Sequence, residues 1–155
     1  FGDLGTVTQT DDEITDLTGL FDAFEYDVKG ASSLEQTITS SRENGTTFFE
    51  QALTLSLSKL SKEDNKEIKL MAFGRPHICV VDYNGNAMLV GLEHGADVTG
   101  GTIATGAAMG DMSGYTLNFT AQELKIANFI AGATAADPFA GMSSATVTIV
   151  QGTNS

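Results

Sequence analysis

Between Glu50 and Leu60 the chain alternates strictly, with Leu53, Leu55 and Leu57 set between Thr54, Ser56 and Ser58. A period of two puts the leucines on one dry face of a strand and the hydroxyls on a wet one. Upstream, Leu34 to Thr39 and Phe48-Phe49 flank Arg42-Glu43-Asn44-Gly45, which predicts a hairpin or longer β-arm turning near Asn44-Gly45. One helix is expected, over about 62–73. Ser61 stands at its N-cap with Asp64 as a short capping-box partner, and Glu63, Asp64 and Glu67 favour its first turns. Ile68, Leu70 and Met71 supply an apolar side, and Gly74 and Pro76 end it.

The runs His77–Tyr83 and Asn86–Leu92 are joined by Asn84-Gly85, a strong hairpin signal. Neither run alternates cleanly, so both strands are expected to be covered on both faces. Residues 93–114 read as a long Gly-rich loop around Gly100, Gly101 and Gly106, part of which is open to a weak edge strand. Tyr115 to Thr120 alternates again, and a last strand, Ala145 to Val150, follows the Asp137-Pro138 linker. No internal repeat is evident. The expected core is Leu53, Leu55, Leu57, Ile68, Met71, Ile78, Val80, Leu89, Leu117 and Phe119. The fold class is therefore mainly β, a β-sandwich or barrel-like single domain over 1–155 with one short helix, long Gly-rich loops, and 1–20 as an extended arm.

Composition narrows the classes. With 155 residues, 41% of them hydrophobic and 18% charged, the chain is globular in type and long enough to bury about two-thirds of its unfolded surface. It opens on Phe1, which leaves an upstream start or a processed terminus open. Its single cysteine, Cys79, lies in an apolar run, where a buried small hydrophobe is expected and a reducing compartment suits it. The net charge of −12 opposes gripping nucleic-acid phosphates or an anionic membrane surface. Acids crowd the first stretch, from Asp3 through Asp11, Asp12, Glu13 and Asp16 to Asp27, before the first basic residue, Lys29. Such a surface keeps a protein in solution, repels a polyanion, or meets a basic partner.

Candidate chemistry is sparse. His77, Cys79 and His94 lack any zinc-ligand spacing, and Ser113 lies in no nucleophile elbow. Asp82-Tyr83-Asn84-Gly85-Asn86 has neither the length nor the closing glutamate of a calcium loop. Gly100-Gly101 is followed by no Gly-Lys-Ser/Thr, and Gly106 and Gly110 lack a strand-turn-helix setting for a dinucleotide. Phe21, Phe24 and Tyr26 belong more readily to a core or subunit interface than to a ligand patch. No catalytic residue, cofactor or metal site is expected, and the chain is expected not to be an enzyme.

Five stretches stand together between Phe48 and Phe119: Phe49-Glu50-Gln51-Ala52-Leu53-Thr54-Leu55, the helix with Arg75-Pro76-His77, Asn84-Gly85-Asn86, Leu89-Val90-Gly91-Leu92-Glu93-His94-Gly95, and Gly110-Asp111-Met112-Ser113-Gly114-Tyr115-Thr116-Leu117. On these the chain resembles virion proteins of tailed bacteriophages, particularly tail-tube-type subunits. The resemblance implies a β-sandwich or barrel-like subunit that forms hexameric rings stacked into a hollow tube, with a hairpin or loop bridging neighbours. DNA passes through such a tube without specific binding, and an acidic lumen repels its phosphates. On this resemblance Asp11, Asp12, Glu13, Glu43 and Glu50 are lumen or interface candidates. Arg42, Asn44, Gly45, Gly100, Gly101 and Gly106 are candidates for the inter-subunit arm and loop. It further implies a place in the viral tail, assembly in the host cytoplasm, other virion proteins as partners, and no membrane. A capsid decoration or connector-ring protein shares this profile. So does a β-sandwich adhesin or carbohydrate-binding module, although the chain has no tryptophan for an aromatic platform.

Overall fold

The computed structural model describes residues 5–28, 31–58 and 62–151. In chain order its elements are β1 (Val7–Thr10), β2 (Glu13–Leu17), β3 (Gly19–Glu25), β4 (Ser33–Ser41), β5 (Thr46–Ser58), α1 (Lys62–Phe73), β6 (Ile78–Val81), β7 (Ala87–Val90), β8 (Asp97–Ala104), β9 (Gly114–Glu123), β10 (Asn128–Ile130) and β11 (Ala145–Gln151). The protein is mainly β with a single short helix among the described residues, as the alternating runs require. The expected single domain divides into two compact units, each drawn from separated stretches of chain.

The second unit comprises the described residues of 26–76 and 91–126. Its sheet is antiparallel throughout, in the order β4-β5-β9-β8. The two central strands share ten consecutive pairs, from Phe49↔Glu123 to Ser58↔Gly114. On β9 the buried side chains are Tyr115, Leu117, Phe119, Ala121 and Glu123, and β5 answers with Gln51, Leu53 and Leu57. Leu55 shares their phase but is only half-buried. The helix runs as expected; the caps proposed at Ser61 and Asp64 lie outside what the structure describes. Ile68 is buried and Met71, three residues on, half-buried, whereas Leu70 points away and is exposed. Two tyrosines tie the helix down: Tyr115 donates to Asn65 Oδ1 at 2.6 Å and Tyr26 donates to the Glu67 carboxylate.

The stretch 93–114 is not one long loop. Its middle is the edge strand β8, paired with β9 from Asp97↔Thr120 to Ala104↔Gly114 with a register shift between Val98 and Gly100. Gly100 and Gly101 sit in that strand, where small residues and a bulge are tolerated at an edge. Residues 93–96 remain a turn and 105–113 a loop, whose core is Asp111, its carboxylate accepting the backbone N–H of Ala107 and Ala108, both at 2.8 Å.

The first unit comprises residues up to Glu25, His77–Val90 and Ala127–Gln151. Its larger sheet runs β1-β2-β10-β7-β6, and β3 and β11 form a separate parallel pair. The expected 1–20 arm is instead built into this unit over its described part. β1 and β2 pair as a hairpin whose two-residue loop is Asp11-Asp12, with φ of 51° and 64°. Aspartate tolerates this left-handed region better than most residues, so a run of acids makes a tight turn. The two apolar residues of β2, Ile14 and Leu17, are then fully buried. Phe21 packs edge-on against Phe139 at 5.6 Å between ring centroids.

The β6–β7 hairpin forms where Asn84-Gly85 predicts it, but the loop is wider than two residues. Asp82 accepts the backbone N–H of Asn84 (2.8 Å) and of Asn86 (2.9 Å), closing the turn. These bonds, that from Asn86 foremost, hold its carboxyl below the usual aspartate value. β6 lies at the sheet edge, so Ile78 and Val80 are half-buried rather than core. Cys79 faces the sheet, and desolvation pushes its thiol up to about 12. Asn128 is buried with neither amide atom hydrogen-bonded among the described residues, a cost of about 1–3 kcal/mol per group.

The burial pattern ranks the leucines of β5. Leu53→Ala removes a fully enclosed side chain and is expected to cost about 2–5 kcal/mol, with Leu55→Ala costing clearly less. Urea denaturation of the two variants tests this, and equal shifts would contradict the assignment of the dry face.

Candidate functional site

The dry face of the central strand pair ends in polar residues. Gln51 continues the phase of Leu53 and Leu57 on β5, and Glu123 continues that of Leu117, Phe119 and Ala121 on β9. Because Gln51 lies opposite Ala121 and Glu123 opposite Phe49, the two are diagonal neighbours on one face. Both are almost fully buried, at 1% and 3% exposed. A buried carboxylate is tolerated only when its oxygens are hydrogen-bonded.

The segment Gly91–Gly95 supplies the donors. Gly91 N–H donates to Gln51 Oε1 at 3.0 Å, while Glu93 N–H and His94 N–H donate to one Glu123 oxygen at 3.1 and 2.8 Å. The other Glu123 oxygen accepts His94 Nδ1–H at 3.0 Å. Gln51 also donates through Nε2 to Lys125 C=O at 3.2 Å. Two glycines make so tight a wrap possible. Gly91 and Gly95 have φ of 71° and 75°, and a Cβ on either would sit 2.6 Å from backbone atoms, of Gly95 and of Arg75 respectively.

Beside this clasp, Arg75 Nε and Asp97 pair at 2.9 Å, both largely exposed. With His94, Gly95, Thr99, Thr120 and Gln122 they line an open depression. One ligand atom from each of Glu93, His94 and Glu123 lies within 4.8 Å of the others, the spacing that a cation could use. Both Glu123 oxygens are already taken by three donors, however, so a cation would have to displace the His94 hydrogen bond. Chemically the arrangement is a buried carboxylate that orients an imidazole and clamps a turn.

His94 thus belongs with Glu123 in the second unit, whereas His77 and Cys79 belong to the first. Among the lumen or interface candidates, Asp11, Asp12 and Glu13 come together at the exposed β1–β2 turn of the first unit. Glu43 is exposed in the β4–β5 turn of the second. Glu50 is half-buried on β5, with Gln122 Nε2 donating to it at 3.5 Å. Arg42, Asn44 and Gly45 share the β4–β5 turn, where Gly45 takes a φ of 64°. Gly100 and Gly101 lie on β8 at the opposite edge of that sheet, and Gly106 follows in the loop beyond it. The sheet therefore separates the arm and loop candidates.

Gln51, Glu123 and the Arg75–Asp97 pair went unread in the sequence. A signal for the first two was present, since each is a polar residue in phase with an apolar face.

Among the described residues no helix is long and apolar enough to cross a membrane. No protein-family model, curated protein or solved structure matches the chain.

Glu123→Ala removes the buried acceptor of three hydrogen bonds, and a loss of about 1–3 kcal/mol is expected. His94→Ala, removing a mostly exposed ring, is expected to cost under about 1 kcal/mol. Denaturant midpoints for both variants check this order, and the reverse order would show that the ring rather than the carboxylate holds the turn.

Proposed function

We propose that this protein is a structural subunit of a tailed-phage virion, of the tail-tube type, that self-assembles into stacked rings forming a DNA conduit. The observation that carries the reading is the β4–β5 hairpin. β5 pairs with β9 only from Phe49 onward, while its pairing with β4 continues through Ser41↔Thr46. The hairpin end, from about Thr39 to Phe48, therefore reaches past the last pair with the central sheet. It carries Arg42, Asn44 and Gly45 at an exposed tip, and Ile38 behind the tip is 67% exposed. A two-stranded extension with a bare apolar residue gains stability from a neighbour that covers it.

The polar clusters support a structural role over a catalytic one. Glu123, Asp82, Asp111 and Asp16 each spend their oxygens on the chain's own turns and strands. Asp16, for example, accepts Ser144 Oγ at 2.6 Å and Ser144 N–H at 3.1 Å, and its pKa is lowered chiefly by those bonds. The exposed acids at the Asp11-Asp12 turn, Glu13 and Glu43 suit a surface past which DNA moves without being held.

Negative-stain microscopy of the purified protein is expected to show six-fold rings or tubes. Replacing residues 40–47 by a two-residue turn is expected to leave a folded subunit that forms neither. Attachment to capsids alone would favour a decoration protein, and lasting monomers a binding module.

Charge provides a separate check. Glu13→Lys and Glu43→Lys, with Asp11→Asn and Asp12→Asn chosen because asparagine keeps the left-handed turn, are expected to leave assembly intact. Genome ejection is expected to slow, most at low salt where screening is weakest. Blocked assembly with normal DNA passage would place these acids at subunit contacts instead.

A further inference from the structure

We propose that the outer edge of β11 pairs with the same strand of a second copy of this chain, closing a twofold dimer of the unassembled subunit. β11 is Ala145-Thr146-Val147-Thr148-Ile149-Val150-Gln151, and its one strand partner among the described residues is β3. A parallel sheet of two strands is too narrow to be stable alone, and parallel pairs normally lie inside wider, covered sheets. Among the described residues no backbone hydrogen bond crosses the side of β11 away from β3. Natural edges are guarded by lysine, proline, a bulge or brevity. β11 has none of these: it is uncharged, β-branched from Thr146 to Val150, and in unbroken register with β3 over all seven residues. Its inward residues, Ala145, Val147 and Ile149, are only half-buried, so another strand would extend their cover.

The self-matching register of β11 selects a second copy as the occupant, and charge leaves this edge open to one. A chain of net charge −12 repels itself wherever acids meet, and a basic partner would find nothing on β11 to attract it. The nearest acids on the paired strand, Asp22 and Glu25, are one strand back on β3. In the order β3-β11-β11-β3 the two β3 strands stand three strand spacings apart, about 14 Å. That exceeds the screening length of about 8 Å at physiological salt, so these acids barely oppose the contact.

The side chains are self-complementary. Antiparallel pairing about a twofold axis at Thr148 matches Val147 with Ile149 and Thr146 with Val150 of the other copy. Inward residues then meet inward ones and outward residues outward ones, as register demands. On the outward face Phe24 (42% exposed) and Val150 (39%) stand side by side as an apolar pair repeated by the twofold, with Asp22 between Phe24 and Leu20. This contact goes beyond the tail-tube reading. A twofold contact closes on itself, whereas rings and tubes grow head to tail, so the dimer is a resting form that covers the barest edge.

Light scattering on the full chain at micromolar concentration, read on the fraction that size exclusion separates from rings and tubes, is expected to give twice the chain mass. Thr148→Lys is expected to halve that mass without changing the far-ultraviolet circular dichroism, because Thr148 is exposed and lies opposite Asp22. Thr148→Cys is expected to form a reducible covalent dimer on mild oxidation, since residues facing each other across an antiparallel pair have disulfide spacing. The wild type, whose thiol is the half-buried Cys79, is expected not to cross-link. A monomeric wild type overturns the proposal, as does a dimer that survives Thr148→Lys but is lost with Thr37→Lys on β4. Should the lysine variant misfold, absence of the Thr148→Cys cross-link overturns it. Rings or tubes seen by microscopy are scored separately, so the tail-tube reading stands or falls on its own result.

Discussion

The ten-residue pairing of β5 with β9 is the constraint on which the second unit depends. It brings Leu53, Leu57, Tyr115, Leu117 and Phe119 onto one face, and from that face Tyr115 reaches Asn65 of the helix. It also decides where the polar residues go. A slip of one residue would turn every buried side chain outward, and Gln51 and Glu123 would lose the donors of Gly91, Glu93 and His94. Register, core and clasp are therefore one specification, and none of the three survives a change in another.

The clasp shows how a buried charge can serve architecture. Glu123 sits where a strand of this phase would ordinarily carry another apolar residue. Its desolvation is offset by two backbone donors and an imidazole, so the cost of burying it secures a turn that has little apolar surface of its own. The same device recurs in lighter form at the half-buried Asp82 and the exposed Asp111, both bonded to nearby backbone N–H groups. In an acidic chain rich in glycine, carboxylates do much of the work of fixing loops.

Much of the second unit was legible in the sequence because its signals are local. Alternation at Leu53–Leu57 and Tyr115–Phe119 named the central strands, and the acidic start with Gly74 and Pro76 after it bounded the helix. Asn44-Gly45 and Asn84-Gly85 marked two turns. What escaped reading depends on distant partners. The 93–114 stretch looks like a loop until β9 offers Thr102, Ile103 and Ala104 a ladder. The first twenty residues look too polar to fold until Asp11-Asp12 is seen as a tight turn and Ile14 and Leu17 find cover. Leu55, Ile78 and Val80 have the right periodicity but less cover than it implies, since alternation reports a face and not how much lies over it. Of the site, His94 stands out in the sequence but its spacing to His77 and Cys79 supports no shared chemistry, and Glu123, its partner, lies twenty-nine residues further along the chain.

The parallel pairing of β3 with β11 joins residues 19–25 to residues 145–151, so residues 26–144 lie between the partners. During synthesis β3 emerges well ahead of its ladder partner. The first unit can collect its β1–β2 and β6–β7 hairpins as they appear, but β3 has no strand to pair with until β11 has been made. Contacts of such separation form slowly, after the entropy of closing the intervening chain has been met. Premature termination anywhere before residue 145 would leave Leu20, Phe21 and Phe24 on an unpaired strand. The ladder between these two strands thus acts as a checkpoint, passed only by a polypeptide translated through β11.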